Sequence, residues 1–100
     1  MSRLIVVLVV VACLFGCRMG PPVQEMSDAR QAIVAAAAAG ATRGGSPEYD
    51  AAQAAIARAE THLQAQEYAR ARLAALQAKH HAAAALASAQ HAENATPAPH

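Results

Sequence analysis

The chain has 100 residues, of which 15% are charged and 55% are hydrophobic, and its formal net charge at pH 7 is +1. Alanine occupies 30 positions, so the hydrophobic fraction overstates the side-chain surface that a core can bury. Basic and acidic residues nearly balance, and Arg70 with Arg72 is too small a pair to form a basic stripe, which argues against nucleic acid as a partner.

The N-terminal segment has the layout of a bacterial export signal. Arg3 precedes an unbroken apolar run of 12 residues, positions 4–15, which the dipeptide Gly16-Cys17 closes. A permanent transmembrane helix needs about 20 apolar residues, so a cleaved signal peptide is the favoured interpretation. We therefore expect residues 1–16 to be absent from the mature protein.

The sequence Leu14-Phe15-Gly16-Cys17 resembles the lipobox of bacterial lipoproteins. In that motif a small residue precedes a cysteine, which receives diacylglycerol and becomes the new N-terminus. Cys17 is thus the expected lipidation site, although Phe15 stands where a smaller residue is usual. Cys13 is the alternative, but it would leave a hydrophobic run of only nine residues. A disulfide between the two cysteines, or two inert thiols, is the remaining interpretation.

The lipobox resemblance also implies a location. Several acyl chains on one cysteine hold a protein stably on a membrane, so the partner expected at this end is a lipid bilayer. Arg18 follows the cysteine where sorted lipoproteins of the inner membrane carry aspartate, which implies the periplasmic face of the outer membrane. Residues 17–22 would be the lipidated cysteine and a tether, because Gly20-Pro21-Pro22 favours extended backbone.

Two helices are predicted after this tether. The first spans about residues 23–39 and ends at Gly40, because glycine readily adopts the left-handed backbone that closes a helix. The second spans about residues 47–65. Ser46 supplies the N-cap hydroxyl and Pro47 occupies the first helical position, so this start is the sharpest local signal in the mature chain.

A third helix is predicted over about residues 67–93, followed by a flexible tail over 94–100. We expect a break at residues 66–68 that folds this helix back on the second. The alternative is one continuous helix over about residues 46–93, which could dimerise as a coiled coil. The expected fold class is all-α, a short three-helix bundle or antiparallel helical hairpin that follows a lipoprotein signal peptide.

Small and apolar residues recur at helical spacing along the last two predicted helices. This spacing predicts that each helix buries one narrow stripe against its neighbours. The stripe on the second helix is Tyr49, Ala52, Ile56, Ala59 and Leu63. The stripe on the third helix is Ala69, Leu73, Leu76, His80, Ala83 and Ala87.

Residues 26–89 carry a set of motifs in a characteristic order: SDARQAI at 27–33, SPEY at 46–49, AETHL at 59–63 and EYARAR at 67–72. This order resembles a family of small Ala-rich bacterial lipoproteins with a helical domain of unknown function. The resemblance implies a short three-helix periplasmic domain and supplies no catalytic residues. Residues 51–84 also resemble a single tetratricopeptide-type helix pair, although Gln66 replaces the usual turn glycine and Ala83 the later proline.

The residues provide no catalytic constellation, no cofactor motif and no metal-ligand spacing. The five histidines, His62, His80, His81, His91 and His100, are interpreted as polar surface residues. Neighbouring histidines point about 100° apart on a helix, and only a cross-helix pair of His62 with His80 is conceivable. The sequence therefore predicts that the protein is not an enzyme.

The candidate interaction surface comprises two tyrosines and two arginines, Tyr49, Tyr68, Arg70 and Arg72. Packing anchors are the favoured interpretation of the tyrosines, and a solvated helix face is the favoured interpretation of the arginines. The leading hypothesis is a lipid-anchored envelope interaction or structural accessory module, which binds an envelope protein or its own copy. The alternative is a periplasmic metal- or stress-responsive binding protein that uses the histidines.

Overall fold

The fold is known from a computed structural model that describes residues 1–43 and 45–95, with the side chains of residues 12–19 and 95 left out of the description. Over these residues it contains four helices and no strand. They are α1 (Ser2–Met19), α2 (Val23–Ala38), α3 (Pro47–Gln64) and α4 (Tyr68–Ala95). The all-α class and the helical bundle are confirmed.

The apolar N-terminal run forms α1, which projects from the bundle formed by α2, α3 and α4. The large side chains of residues 4–11 are between 42% and 69% exposed. The helix continues through Cys17 to Met19, so the extended backbone expected over residues 17–22 begins only at Gly20, with φ −80° and ψ 175°. Among the described residues, no helix is long and apolar enough to cross a membrane.

The first helix of the bundle, α2, ends where the sequence predicts. Gly40 has φ +96°, the left-handed conformation expected of it. Its amide donates to the carbonyl of Ala37 at 3.0 Å, and the amide of Ala41 donates to the carbonyl of Ala36 at 3.0 Å. This pair of hydrogen bonds satisfies carbonyls that the helix end would otherwise leave unpaired.

The second bundle helix, α3, begins at the predicted cap. Ser46 Oγ accepts a hydrogen bond from the amide of Tyr49 at 3.1 Å, and Pro47 occupies the first turn. The helix ends in the same kind of hydrogen-bonded turn as α2, but here Gln66 takes the left-handed position with φ +61°. Because the chain reverses at that residue, α3 and α4 are separate helices, and the continuous-helix alternative is wrong.

The three bundle helices alternate in direction along the chain. The most extensive packing joins α3 to α4, an antiparallel hairpin, and α2 packs mainly on α4. Because α2 and α4 run parallel, the start of α2 lies beside the α3–α4 turn. An ion pair of 3.2 Å between Arg30 and Glu60 adds a link from α2 to α3.

The core of the bundle consists almost entirely of alanine. Fifteen buried apolar residues make up the core of the described chain, and the three that are larger than alanine are Met26, Ile33 and Ile56. On α3 the predicted stripe is confirmed at its centre, where Ala52, Ile56 and Ala59 are buried. The stripe therefore faces the neighbouring helices, as its spacing predicts.

On α4 the predicted stripe is wrong. Leu73 and Leu76 are 59% and 47% exposed, and His80 is exposed with them. The buried positions are Ala71, Ala74, Ala75, Ala78, Ala82 and Ala85. This face has no polar interruption, whereas burying the leucine stripe would also desolvate the imidazole of His80, which costs free energy. The uninterrupted alanine face also allows the helix axes to approach closely.

The last helix extends slightly beyond its predicted end. It begins at Tyr68, one residue later than predicted, and reaches Ala95, so residues 94 and 95 are helical rather than part of a tail. Residues 96–100, the remainder of the predicted flexible tail, lie outside the described part of the chain.

Candidate interaction surface

The two tyrosines of the predicted interaction surface lie at opposite ends of α3. Tyr49, in the first turn, is partly buried against core residues of the bundle, and its hydroxyl accepts a hydrogen bond from Gln53 Nε2 at 2.9 Å. Tyr68 begins α4 after the turn. The 15 residues of α3 that follow Tyr49 correspond to about 22 Å, so the tyrosines do not form a recognition pair. The placement of Tyr49 favours a packing role.

The two arginines also have different surroundings. Arg70 is 72% exposed and pairs with Glu67 at 3.0 Å on the surface of the first turn of α4. Arg72 is only 27% exposed: its Nε donates to Glu25 Oε1 at 3.2 Å, and its terminal nitrogen donates to the carbonyl of Gly20 at 3.1 Å. The four predicted residues therefore do not form one surface, and Arg72 connects α4 to the segment before α2.

A charged cluster caps the bundle at the α3–α4 turn. Glu67 Oε1 lies 3.1 Å from His62 Nδ1, and its other oxygen accepts from Arg70. The hydrogen bond with His62, aided by the positive charge of Arg70, holds the pKa of the Glu67 carboxyl below its ordinary value of 4.5, and partial desolvation opposes this shift. The cluster therefore favours the ionised carboxylate and fixes the turn.

The histidines are dispersed along the bundle. His62 lies two residues before the end of α3 and His80 lies 12 residues into α4, which separates them by about 15 Å along the bundle. The cross-helix pair of His62 with His80 that the sequence left open is therefore wrong. His80 instead neighbours His81, with ring centroids 6.1 Å apart. No three His, Cys, Asp or Glu side chains of the described residues are grouped so that they could hold a metal ion. His100 lies outside the described residues.

The predicted lipidation sites lie in α1. Cys13 and Cys17 both belong to this helix, but their side chains are outside the description. The lipid attachment at Cys17, the alternative at Cys13 and the disulfide between them therefore stay predictions.

A shallow groove of about 310 Å³ lies between the α2–α3 connection and the second half of α4. Most of its lining is alanine and glycine, and the hydroxyl of Ser46 donates to Glu48 Oε2 at 3.3 Å within it. The described lining includes no histidine, cysteine or lysine beside these groups. The groove thus offers an apolar contact area rather than a pair of groups for acid–base or nucleophilic chemistry.

Sequence reasoning missed the exposed apolar side chains of the bundle. The large ones are Val23, Val34, Leu73 and Leu76, with exposures of 73%, 67%, 59% and 47%. Two of them, Val23 and Leu73, lie at the end of the bundle that carries the α3–α4 turn. The helical spacing of Leu73 and Leu76 predicts that they are buried. The polar His80 in the same stripe is the sequence feature that argues against this burial.

No protein-family model, curated protein or solved structure matches the chain.

Proposed function

We propose that the chain is the precursor of a lipid-anchored envelope protein, and that its mature bundle is an interaction or structural accessory module on the periplasmic face of the outer membrane. The observation that carries this proposal is the independence of the bundle from α1. No described side chain of α1 belongs to the core, whose first residue in the chain is Met26. Cleavage before Cys17 would consequently leave the packing of the bundle intact.

The exposed surface of α1 supports the same role. Residues 4–11 present valine, leucine and isoleucine side chains around the helix, and water surrounds them in the isolated chain. A helix that is apolar on all sides is stable only when lipid or protein covers it. The export machinery would cover this helix during transport, and cleavage would then remove it from the protein. The length of the apolar run fits a signal peptide.

An interaction role for the mature part follows from what its surface offers. Leu73 and Leu76 project from α4, and Val34 projects from α2, whereas alanine fills the seams between the helices. Exposed apolar side chains of this kind contribute binding energy when a partner covers them. The described residues bring together no set of groups suited to catalysis, so we favour a module that binds over one that reacts.

The experiment is to express the full chain with a C-terminal tag in a Gram-negative host and to measure the mass of the purified protein. We expect a mature chain that begins at Cys17 and carries a diacylglyceryl group and an amide-linked acyl chain. Cys17→Ala should accumulate the uncleaved precursor without lipid, and Cys13→Ala, the matched control, should be processed normally. Retention of residues 1–16, or the absence of lipid from both cysteines, would reject the proposal.

A further inference from the structure

We propose that the mature bundle lies directly on the phospholipid surface, with the end that carries the α3–α4 turn in contact with the bilayer. This inference rests on the proposed function, because it requires an acyl anchor at Cys17. It adds the orientation of the bundle and identifies the surface that touches lipid.

The segment between the anchor and the bundle is fixed in place. Pro22 is the largest fully buried side chain, with less than 2% of its surface exposed. Two residues earlier, the carbonyl of Gly20 accepts a hydrogen bond of 3.1 Å from Arg72. Glu25 holds the same guanidinium at 3.2 Å, and the side chains of both ion-pair partners are less than one third exposed. The segment is therefore bound to the bundle rather than free as a linker.

The short distance from the anchor limits how far the bundle can move from the membrane. Only three peptide steps separate Cys17 from Gly20, and a fully extended chain spans at most about 3.6 Å per residue, or about 11 Å in total. The interfacial layer of a bilayer is about 5 to 8 Å thick on each side. An acyl-anchored Cys17 thus keeps the start of α2 at the headgroups.

The side chains at this end suit a lipid interface. Val23 opens α2 and is 73% exposed, and Leu73, in the second turn of α4, is 59% exposed. Arg70 is 72% exposed at the same end: one of its terminal nitrogens pairs with Glu67, and the rest of its guanidinium faces outward, where it can reach phosphate oxygens while its stem covers apolar surface. Apolar residues beside a cation are the composition by which peripheral proteins sit at the boundary of headgroups and acyl chains.

The test uses site-specific fluorescence on the full-length, lipidated protein. No cysteine follows Cys17 in the sequence, so one introduced cysteine gives one label. Val23→Cys and Leu73→Cys would be labelled with a polarity-sensitive dye and reconstituted into vesicles of phosphatidylethanolamine and phosphatidylglycerol. Val34→Cys is the matched control, because it is a valine of α2 with 67% exposure that lies about 16 Å farther along the helix.

We expect the emission of labels at positions 23 and 73 to shift to shorter wavelength when vesicles are present, relative to the same lipidated proteins in buffer without vesicles. The label at position 34 should keep its emission wavelength. Equal emission at all three positions would overturn the inference. The mass of each labelled protein separates the two proposals: missing lipid rejects the proposed function, whereas lipid without a shift rejects only the membrane contact.

A second variant tests the fixed segment. Arg72→Gln removes the link to Gly20, so the label at position 73 should lose most of its shift while the acyl chains keep the protein on the vesicle. Arg30→Gln, which removes an ion pair elsewhere on α2, is the control and should keep the full shift. Circular dichroism checks that both variants are helical, and Arg72→Met, which keeps the apolar stem but has no donor for Gly20, serves as a substitute if Arg72→Gln does not fold. An unchanged shift in the folded variant would overturn the role of Arg72.

Discussion

Arg72 and Glu25 are 47 positions apart in the sequence, yet Arg72 Nε lies 3.2 Å from Glu25 Oε1, and their side chains are only 27% and 28% exposed. The ion pair between Arg30 and Glu60 has the same distance of 3.2 Å but exposures of 54% and 49%. The two pairs share an N···O distance and differ in solvent access, so comparing them shows how partial burial changes the contribution of an ion pair.

We predict that Glu25→Gln lowers the free energy of unfolding more than Glu60→Gln. The first change leaves the partly buried guanidinium of Arg72 without its carboxylate and should cost about 1 to 3 kcal/mol. The second removes an exposed pair and should cost at most about 1 kcal/mol. Urea denaturation followed by circular dichroism measures both values, and equal losses would contradict the importance of the partly buried pair.

The assignment of the buried face of α4 is tested by adding volume. Ala78 is fully buried and Ala83 is exposed, so both can be replaced by leucine on the same helix. Ala78→Leu should destabilise the bundle by about 1 to 3 kcal/mol, because the closely packed seam has no room for three more carbons. Ala83→Leu should change stability by no more than about 0.5 kcal/mol. The reverse order of stabilities would show that the predicted leucine stripe faces the core after all.

The left-handed residue of the α3–α4 turn gives a stabilising prediction. Gln66 has φ +61°, a conformation that costs a residue with a Cβ about 1 to 2 kcal/mol, whereas glycine adopts it freely. Glycine also loses more backbone entropy on folding, which offsets part of this gain. Gln66→Gly should therefore raise the free energy of unfolding by about 0.5 to 1 kcal/mol. Gln77→Gly, inside α4, should lower it by about as much. Thermal and urea unfolding measure the stability of both variants. A loss of stability in Gln66→Gly would contradict the prediction.

The turn cluster gives a pH prediction. The folded state lowers the pKa of Glu67 below 4.5, so ionisation of this carboxyl stabilises the bundle. That contribution is fully present above pH 4.5 and is lost as the pH falls through the lower folded-state pKa. Below pH 4.5 the free energy of unfolding should thus fall more steeply in the original chain than in Glu67→Gln. Glu93→Gln, a change near the end of α4, is the control, and parallel curves for the original chain and Glu67→Gln would count against the cluster.

Local signals in the sequence located the helix boundaries well. Ser46 with Pro47 predicts the start of α3, and Gly40 predicts the end of α2, because caps depend on residues within one turn of each other. The sequence also predicts the break before α4, although the turn contains no glycine. These boundaries define the bundle and its antiparallel hairpin before any tertiary contact is considered.

Tertiary relationships were less accessible from the sequence. Alanines lie on every face of α4, so residue spacing alone allows more than one face to be buried. Which face is buried depends on how closely the neighbouring helices approach. The link from Arg72 to Gly20 joins residues 52 positions apart and has no local signature. The sequence also suggested a joint surface for Arg70 and Arg72, which their different surroundings exclude.

The alanine seam also sets how the bundle responds to temperature. Twelve of the fifteen buried apolar residues of the described chain are alanines, which expose little hydrocarbon when the helices separate. The heat-capacity change of unfolding follows the apolar area exposed, so its value per residue should be smaller than in a leucine-rich bundle. Stability then varies only slowly between cold and warm conditions, and melting extends over a broad interval.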